Sequence, residues 1–590
     1  MRKLMAKILC VLISVVCMFT VVGCYDTVDT VKIDNKRTQL YVATVTGSGF
    51  GRSWLDKAIK RFEEEYKDFE FEPGTGKKGA QVIVDNVDYG SKLGVSLKNE
   101  RFTVIATSDV DYFDFVEKDM LYDITDIIAE DFDDTDKDGN AVQNSIQDKY
   151  ISQDIANGFS VDGKIYALPF ISGVGGISYD RDLFEEKGFF FLANDADKGD
   201  YTALKLSGKY MFQGELDKAD RENYELSAGR DGLTGTYDDG LPATYEQFYA
   251  LMEYIAKANI TPISWSGHYH GSYLTELIGG LFIDNLGAQE MRKFYDVSGT
   301  TDKLVSSVNG GALSYMEETT LDKDNSYLFQ KHEGKYQALD FLYNVIKTLK
   351  EKDPDIGYTN AFKDDIDHTM AQDNFLKSKQ DAAINSTKFK RIAMFYDGTY
   401  WVNEARKTFQ NMESDGLGVL DRKIGHMPFP HPTNENGAKA VNAIGTSTVV
   451  FMNSNLKAKQ SKQLLIATEF LKFIHTRESL VEFTQDTSMI RPFKYEFNSE
   501  EAKLMSYFGK DLYYKQAGSE LLITASTNNV FRKNYSYFKV SSDANWTSKI
   551  SDTTYGNPSE AFKLGKTSTE YFNGLSTIYT SNYWKTEILG

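Results

Sequence analysis

The chain has three cysteines in 590 residues, and all of them, at positions 10, 17 and 24, fall at its very start. Everything after Cys24 is expected to fold without a disulfide, a cysteine nucleophile or a cysteine-based metal site. A body of that length can do so, because the buried fraction of surface rises with chain length and a hydrophobic core is then enough. The same segment sets the address. Arg2, Lys3 and Lys7 make a basic start, and residues 8–22 form an apolar run interrupted only by Ser14 and Thr20. The run is short for a spanning helix and no basic stop-transfer cluster follows it, which is the pattern of a cleaved export signal.

Val21-Val22-Gly23-Cys24 resembles a bacterial lipobox. That resemblance implies a lipoprotein signal peptide over residues 1–23 and an acylated (palmitate-type) Cys24 as membrane anchor. An ordinary secretory signal with an incidental Cys24 is the alternative. Residues 24–37 are polar, lack apolar periodicity and read as a tether. One acylated terminus holds a protein to a leaflet while its body stays in water. The expected location is the outer face of the bacterial cytoplasmic membrane, exposed to the extracytoplasmic space.

The formal net charge is −19, and loss of Arg2, Lys3 and Lys7 with the leader makes it more negative. Such a surface repels phosphate backbones, so no nucleic-acid partner is expected. Aromatic residues make up 13% of the chain, with 36 Tyr and 38 Phe. Most of these fill the core, but the excess also suits a neutral sugar, held by ring faces on its C–H patches and by carboxylates on its hydroxyls.

The length implies more than one lobe. Residues 40–45 read as a first strand, followed by the Gly-rich Thr46-Gly-Ser-Gly-Phe-Gly51 and an amphipathic helix over 53–66 with Leu55, Ile59 and Phe62 on one face. Residues 81–87 and 103–106 read as further strands, with a helix over 91–98 between them. This strand–helix alternation predicts an α/β lobe with a parallel sheet. Residues 245–258 and 461–476 are strong amphipathic helices, and 448–452 suits a buried strand. Residues 193–241 look like an irregular insertion, and the last hundred show few clear patterns.

Asp162-Gly-Lys-Ile-Tyr-Ala-Leu-Pro169 and Gly175-Gly-Ile-Ser-Tyr-Asp-Arg-Asp-Leu-Phe-Glu-Glu-Lys-Gly188 resemble hallmark blocks of the family 1 extracellular solute-binding proteins. These are the carbohydrate-binding components of ABC importers, similar in fold to the maltose-binding protein. Further blocks follow in the family's order: Leu241-Pro-Ala-Thr-Tyr-Glu-Gln-Phe248, Ile260-Thr-Pro-Ile-Ser-Trp-Ser-Gly267, Ile392-Ala-Met-Phe-Tyr-Asp-Gly-Thr-Tyr-Trp401, Gly425-His-Met-Pro-Phe-Pro430, and Arg491-Pro492. The resemblance covers roughly residues 38–495, leaving out the 193–241 insertion, 296–336 and the last segment. It implies an α/β, two-lobe periplasmic-binding-protein-like fold, hinged, with discontinuous lobes, insertions and a C-terminal extension. Lobe 1 is expected to take 38–170 plus about 365–440, and lobe 2 to take 171–364 plus about 441–590. The function implied is capture of a carbohydrate, an oligosaccharide by preference, by a monomer that delivers it to ABC permease subunits without chemistry.

A sugar site needs stacking platforms and hydrogen-bonding groups facing each other across a closable cleft. Trp401 and Tyr400, beside Asp397, match the family's Asp-Gly-x-aromatic-aromatic block and are the first candidates. Neighbours on a strand point to opposite faces, so one of the two rings is free to be core. Glu404 is a further candidate. Trp54, after the Gly-rich turn, is a second platform, with core packing as the alternative. Trp265 and His268 lie in a loop after a strand, where ligand groups usually sit; His268 and His270 stand at i, i+2, but no third metal ligand accompanies them. Asp109 and Asp111 suit sugar hydroxyls, and Arg491 suits a carboxylate or a hydroxyl pair.

No catalytic cofactor is expected, but two loops have carboxylates spaced for a structural calcium. Asp134-Thr-Asp-Lys-Asp-Gly139 supplies Asp134, Asp136 and Asp138 and opens like an EF-hand loop, yet position twelve is Ser145 instead of Glu. Asp231-Gly-Leu-Thr-Gly-Thr-Tyr-Asp-Asp-Gly240 supplies Asp231, Asp238 and Asp239. Each reads equally as a solvated acidic loop. Three rival functions remain at this stage: a surface polysaccharide-active enzyme, an adhesin, and a binder of a non-sugar solute. There is no G-x-S-x-G elbow and no H-E-x-x-H helix, though 85 acidic residues leave a carboxylate pair open.

Overall fold

The computed structural model describes residues 32–44, 51–86, 97, 102–107, 110–193, 210–386, 388–433, 439–459 and 463–590. Cys24, the Gly-rich turn up to residue 50, Asp109 and nearly all of the helix expected over 91–98 lie outside them.

The β-branched runs near the start form strands Thr38–Thr44, Ala80–Asn86 and Val104–Thr107, paired in parallel. Strand Val449–Met452 joins Val104–Thr107 antiparallel, and Ala167–Pro169 closes the sheet on its far side. All four residues of Val104–Thr107 and of Val449–Met452 are buried, as continuous apolar strands covered on both faces require. Helix Ser53–Glu65 buries Leu55, Ile59 and Phe62 as its periodicity predicts, and Phe62 packs edge-on against Phe470 and Phe473. The helix expected over 461–476 is Leu464–Phe473.

A second sheet runs Thr261–Ser264, Ile392–Phe395, Ile177–Asp180, Ile424–Met427 in spatial order. Helix Tyr245–Lys257, which leads into it, starts on a capping box in which Thr244 and Gln247 satisfy each other's backbone N–H groups. This sheet corrects the expected lobe boundary. The 392–395 and 424–427 strands both pair with Ile177–Asp180, so most of 365–440 belongs to the second lobe. Val449–Met452 returns to the first sheet, so 441–590 is not a second-lobe block.

Between the two sheets lies a crossing sheet: Gly173–Val174, Val441–Gly445 and Glu520–Thr524. Gly173–Val174 and Val441–Gly445 each link a first-lobe segment to a second-lobe one, and Glu520–Thr524 runs parallel beside Val441–Gly445. Gly173 sits where a Cβ would stand 2.3 Å from the Ala443 carbonyl oxygen, so this pairing requires glycine. Helix Tyr507–Gly518 packs its Phe508 and Leu512 into the second lobe beside Trp401 and Phe395.

The C-terminal extension is integral to the second lobe. Tyr571, Trp546 and Trp584 are fully buried, and Lys335 is enclosed among Gln330, the Asn545 carbonyl and the Trp546 ring 4.4 Å away. The described part of the insertion is irregular, with short turns at Gln213–Glu215 and Arg221–Asn223. It is anchored by Arg230, which is buried and pairs with Asp284 while donating to the Phe429 carbonyl at 2.6 Å and the Lys439 carbonyl at 3.3 Å. Asp284 in turn accepts the Val441 N–H at 2.9 Å, so the insertion is tied to the second crossing strand.

Candidate functional site

Alternation along the crossing strands places Ala443, Gly445 and Thr524 on one face and Asn442 and Leu521 on the other. The first face closes a cavity of about 330 Å³ between the lobes. The loop after strand Ile392–Phe395 forms its wall. Tyr396 N–H donates to the Ser264 carbonyl at 2.9 Å, continuing the sheet edge, and Asp397 then turns the chain by accepting the Gly398 N–H at 2.7 Å. Tyr400 follows in the same loop, and Tyr535 and Phe538 of the C-terminal extension also line the cavity. A larger cavity, about 680 Å³, lies behind the crossing sheet against Asp134, Tyr495 and Tyr513. We place the site in the smaller one because the aspartate–aromatic block opens there.

Asp397 is 5% exposed. The Gln372 side-chain amide donates to it at 3.1 Å and to Glu404 at 2.6 Å, so one nitrogen joins the two carboxylates. Burial pushes the Asp397 carboxyl up to about 7, helped by the charges of Glu404 and Glu276; the Gln372 and Gly398 hydrogen bonds oppose the shift without cancelling it. Tyr273 and Tyr396, close to the same carboxylates, are held above the usual phenol range by burial first and those charges second. On the cavity wall, burial holds His426 well below the usual imidazole range, and its Nδ1 accepts from Lys515 Nζ at 3.0 Å. Lys515 itself is pushed down to about 7 by burial.

The structure thus brings together Asp397, Tyr400 and Glu404. It corrects six other expectations. Trp401 begins a helical turn, Trp401–Glu404, and points into the core: it is fully buried, donates its indole N–H to Ser178 Oγ at 2.9 Å, and meets Phe395 and Phe375 edge-on. Trp54 is 3% exposed, packed on Phe170 and Phe483. Trp265 is 1% exposed and donates to the Ala361 carbonyl at 2.8 Å. Asp111 accepts the Asp114 N–H at 3.1 Å and caps helix Tyr112–Glu117. Arg491 is fully buried between Phe170 and Phe493, donating to the Ile474 carbonyl at 2.8 Å and to His475 at 2.6 Å; burial lowers it to about 9. His268 is exposed, its Nδ1 2.7 Å from the Asp364 carbonyl, and does not line the cavity.

The acidic loops hold their own backbone. Residues 134–139 lead into the tip of a hairpin pairing Phe132–Thr135 with Ala141–Asn144; Asp136 accepts the Asp138 and Asn140 N–H groups, both at 2.9 Å, and Asp134 pairs with buried Lys149. Asp138 is exposed at the turn. Asp238, fully buried, accepts the Arg230 N–H at 2.8 Å and the Asp231 N–H at 3.1 Å. Asp231 accepts from Leu233 and Asp239 from Gly235, each at 2.7 Å. Among the described residues no group of three or more His, Cys, Asp or Glu side chains is placed to hold a metal ion.

Two lobes, a crossing sheet and a cleft walled by the aspartate–tyrosine loop can be compared with known proteins. Residues 57–273 match the family of bacterial extracellular solute-binding proteins. The two-lobe solute-binding fold extends over nearly the whole chain. A chitin oligosaccharide binding protein superimposes with a TM-score of 0.50 at 16% identity, covering 92% of this chain and 98% of that one. A probable secreted solute-binding lipoprotein from Streptomyces coelicolor does so with a TM-score of 0.50 at 11% identity, covering 92% and 99%. At these identities the likeness is one of fold. A search of the curated proteins finds no match. No helix among the described residues is long and apolar enough to cross a membrane.

Glu276, Tyr396, Tyr535 and Phe538 line the cavity without having been singled out in the sequence. Glu276 sits within the 27-residue helix His270–Asp296 and Tyr535 and Phe538 in the unpatterned C-terminal segment; only Tyr396 carried a signal, its place beside Asp397.

Proposed function

We propose that the protein captures a carbohydrate in the interlobe cavity and releases it intact to an ABC-type import permease, anchored to the membrane's outer face through Cys24. The observation that carries this reading is the cavity lining itself: Tyr396, Tyr400, Tyr535 and Phe538 together with the buried Asp397 carboxyl, in a cavity closed by the crossing strands between the lobes. Aromatic faces and a few orienting acids are what a neutral polyol needs. The fold shared with a chitin oligosaccharide binding protein supports a sugar ligand. A glycosidase needs two carboxyl groups on either side of the scissile bond. Asp397 and Glu404 instead share the Gln372 amide, which occupies the space between them. That arrangement excludes Asp397 and Glu404 as a hydrolytic pair; Glu276 is the other carboxylate on the cavity wall, and recovery of the ligand intact tests its pairing with Asp397.

Asp397 gives the reading a pH signature. Sugar hydroxyls donate best to the ionised carboxylate, so affinity should rise as pH passes through about 7. Stability runs the other way. The folded-state value of about 7 lies above the ordinary 3.8, so this group's contribution is fully present below about pH 4 and is lost as pH rises through 7. Asp397→Asn should therefore raise the melting temperature at pH 8 but not at pH 4, removing a charge-burial cost on the order of a few kcal/mol. It should also weaken oligosaccharide binding at pH 8 about tenfold to a hundredfold, as loss of a hydrogen bond to a charged group does, and flatten its pH dependence. Calorimetric titrations at pH 5, 7 and 8 alongside thermal melts measure both. Unchanged affinity in the variant would remove Asp397 from the site.

A further inference from the structure

Arg406 lies outside the cavity yet spans the lobes. Its helix, Arg406–Met412, belongs to the second lobe, where Phe409 and Met412 pack with Trp401 and Phe375. The guanidinium reaches across to the first lobe at two points. Nη1 donates to Ser53 Oγ at 2.6 Å, in the first turn of helix Ser53–Glu65. Nη2 donates to the main-chain carbonyl of Asp486, in the last turn of helix Arg477–Thr487, where the exposed carbonyls favour a cation. The acceptors are themselves held together: the Asp486 carboxylate accepts from Ser53 Oγ and, at 2.6 Å, from Lys57 Nζ, and stands 3.8 Å from Arg406 Nη2.

We propose that Arg406 is an interlobe clasp, a positioning residue that sets how long the solute stays bound by holding the lobes together without touching the solute. Its partners sit on the other lobe, so hinge opening must break both hydrogen bonds. The side chain is 36% exposed, so water replaces them readily and the clasp is modest, worth about tenfold in affinity at most. Because it makes no solute contact, its loss should affect every ligand equally and appear in the dissociation rate, since closure follows encounter.

This inference rests on the cavity being the solute site, and one arm of its test does not. Small-angle scattering of the ligand-free protein should give a larger radius of gyration for Arg406→Ala than for the wild type, an intermediate value for Arg406→Lys, and an increase for Ser53→Ala, which removes an acceptor from the other lobe. Saturating oligosaccharide should return all four to one value. Stopped-flow kinetics should show dissociation about tenfold faster in Arg406→Ala with the association rate unchanged. Ligand-free scattering identical to the wild type in both Arg406→Ala and Ser53→Ala overturns the clasp, as does an effect confined to the association rate. If no oligosaccharide binds the wild type, the proposed function fails on its own, and the ligand-free scattering still decides the clasp.

Discussion

Arg230→Ala should lower the unfolding free energy by about 3–5 kcal/mol, the usual result of leaving one member of a buried ion pair behind. Arg230 and Asp284 are each 3% exposed on their side chains. Removal of the guanidinium also orphans the Phe429 and Lys439 carbonyls it satisfies. Asp284 would keep the Val441 N–H, leaving a buried carboxylate whose remaining cation is Lys515, itself pushed down to about 7 by burial. The effect should be a lower melting temperature across the whole chain, measured by calorimetry, since the pair links the insertion, helix His270–Asp296 and the crossing segment. A double variant, Arg230→Met with Asp284→Leu, should recover much of the loss, because replacing both members of a buried pair by apolar groups is often neutral. A single variant as stable as the wild type would mean that the insertion does not brace the hinge.

Trp401→Ala should be equally costly, about 3–5 kcal/mol, for a different reason: it empties a large volume from a packed aromatic cluster that collapses only partly. Phe375, Phe395, Phe409 and Phe508 all lose a neighbour, and Ser178 Oγ loses its indole partner. Ligand binding in this variant would fall because the second lobe is destabilised. Trp401→Phe should retain more than half of the lost stability and bind ligand normally. Tyr400→Ala, one residue away, should do the opposite, leaving the melting temperature near that of the wild type while weakening binding. Normal stability in Trp401→Ala would show that the ring is not the core element described here.

The contrast between these neighbours shows where sequence reasoning ran out. Asp397 and Tyr400 were legible because a short block in one loop carries them. Trp401 was misassigned because adjacent aromatics look alike until the backbone is known: an extended chain would have turned one ring to the cleft and one to the core by alternation, whereas here the chain enters a helical turn. The first-lobe strands and helix Ser53–Glu65 were legible because their apolar spacing is local. The lobe assignment of 392–427 was not, since it depends on pairing with residues more than two hundred positions away. The C-terminal walls of the cavity were hidden for the same reason, as Tyr535 and Phe538 acquire their place through packing on helix His270–Asp296 and its neighbours. Spacing also suggested calcium loops, but the carboxylate oxygens of Asp136, Asp231, Asp238 and Asp239 are engaged by nearby backbone N–H groups, a competition that a motif does not display.

The central claim, that the cavity beneath Tyr400 and Asp397 holds an intact carbohydrate, is tested most directly by isothermal titration. The wild type and Tyr400→Ala would be titrated with a panel of plant, host and storage oligosaccharides, and the ligand recovered and weighed by mass spectrometry. The account predicts saturable binding of at least one oligosaccharide by the wild type, recovery of that ligand uncleaved, and affinity at least tenfold weaker in a Tyr400→Ala variant of unchanged melting temperature. Cleaved ligand, no saturable binding anywhere in the panel, or equal affinity in the two proteins would contradict it.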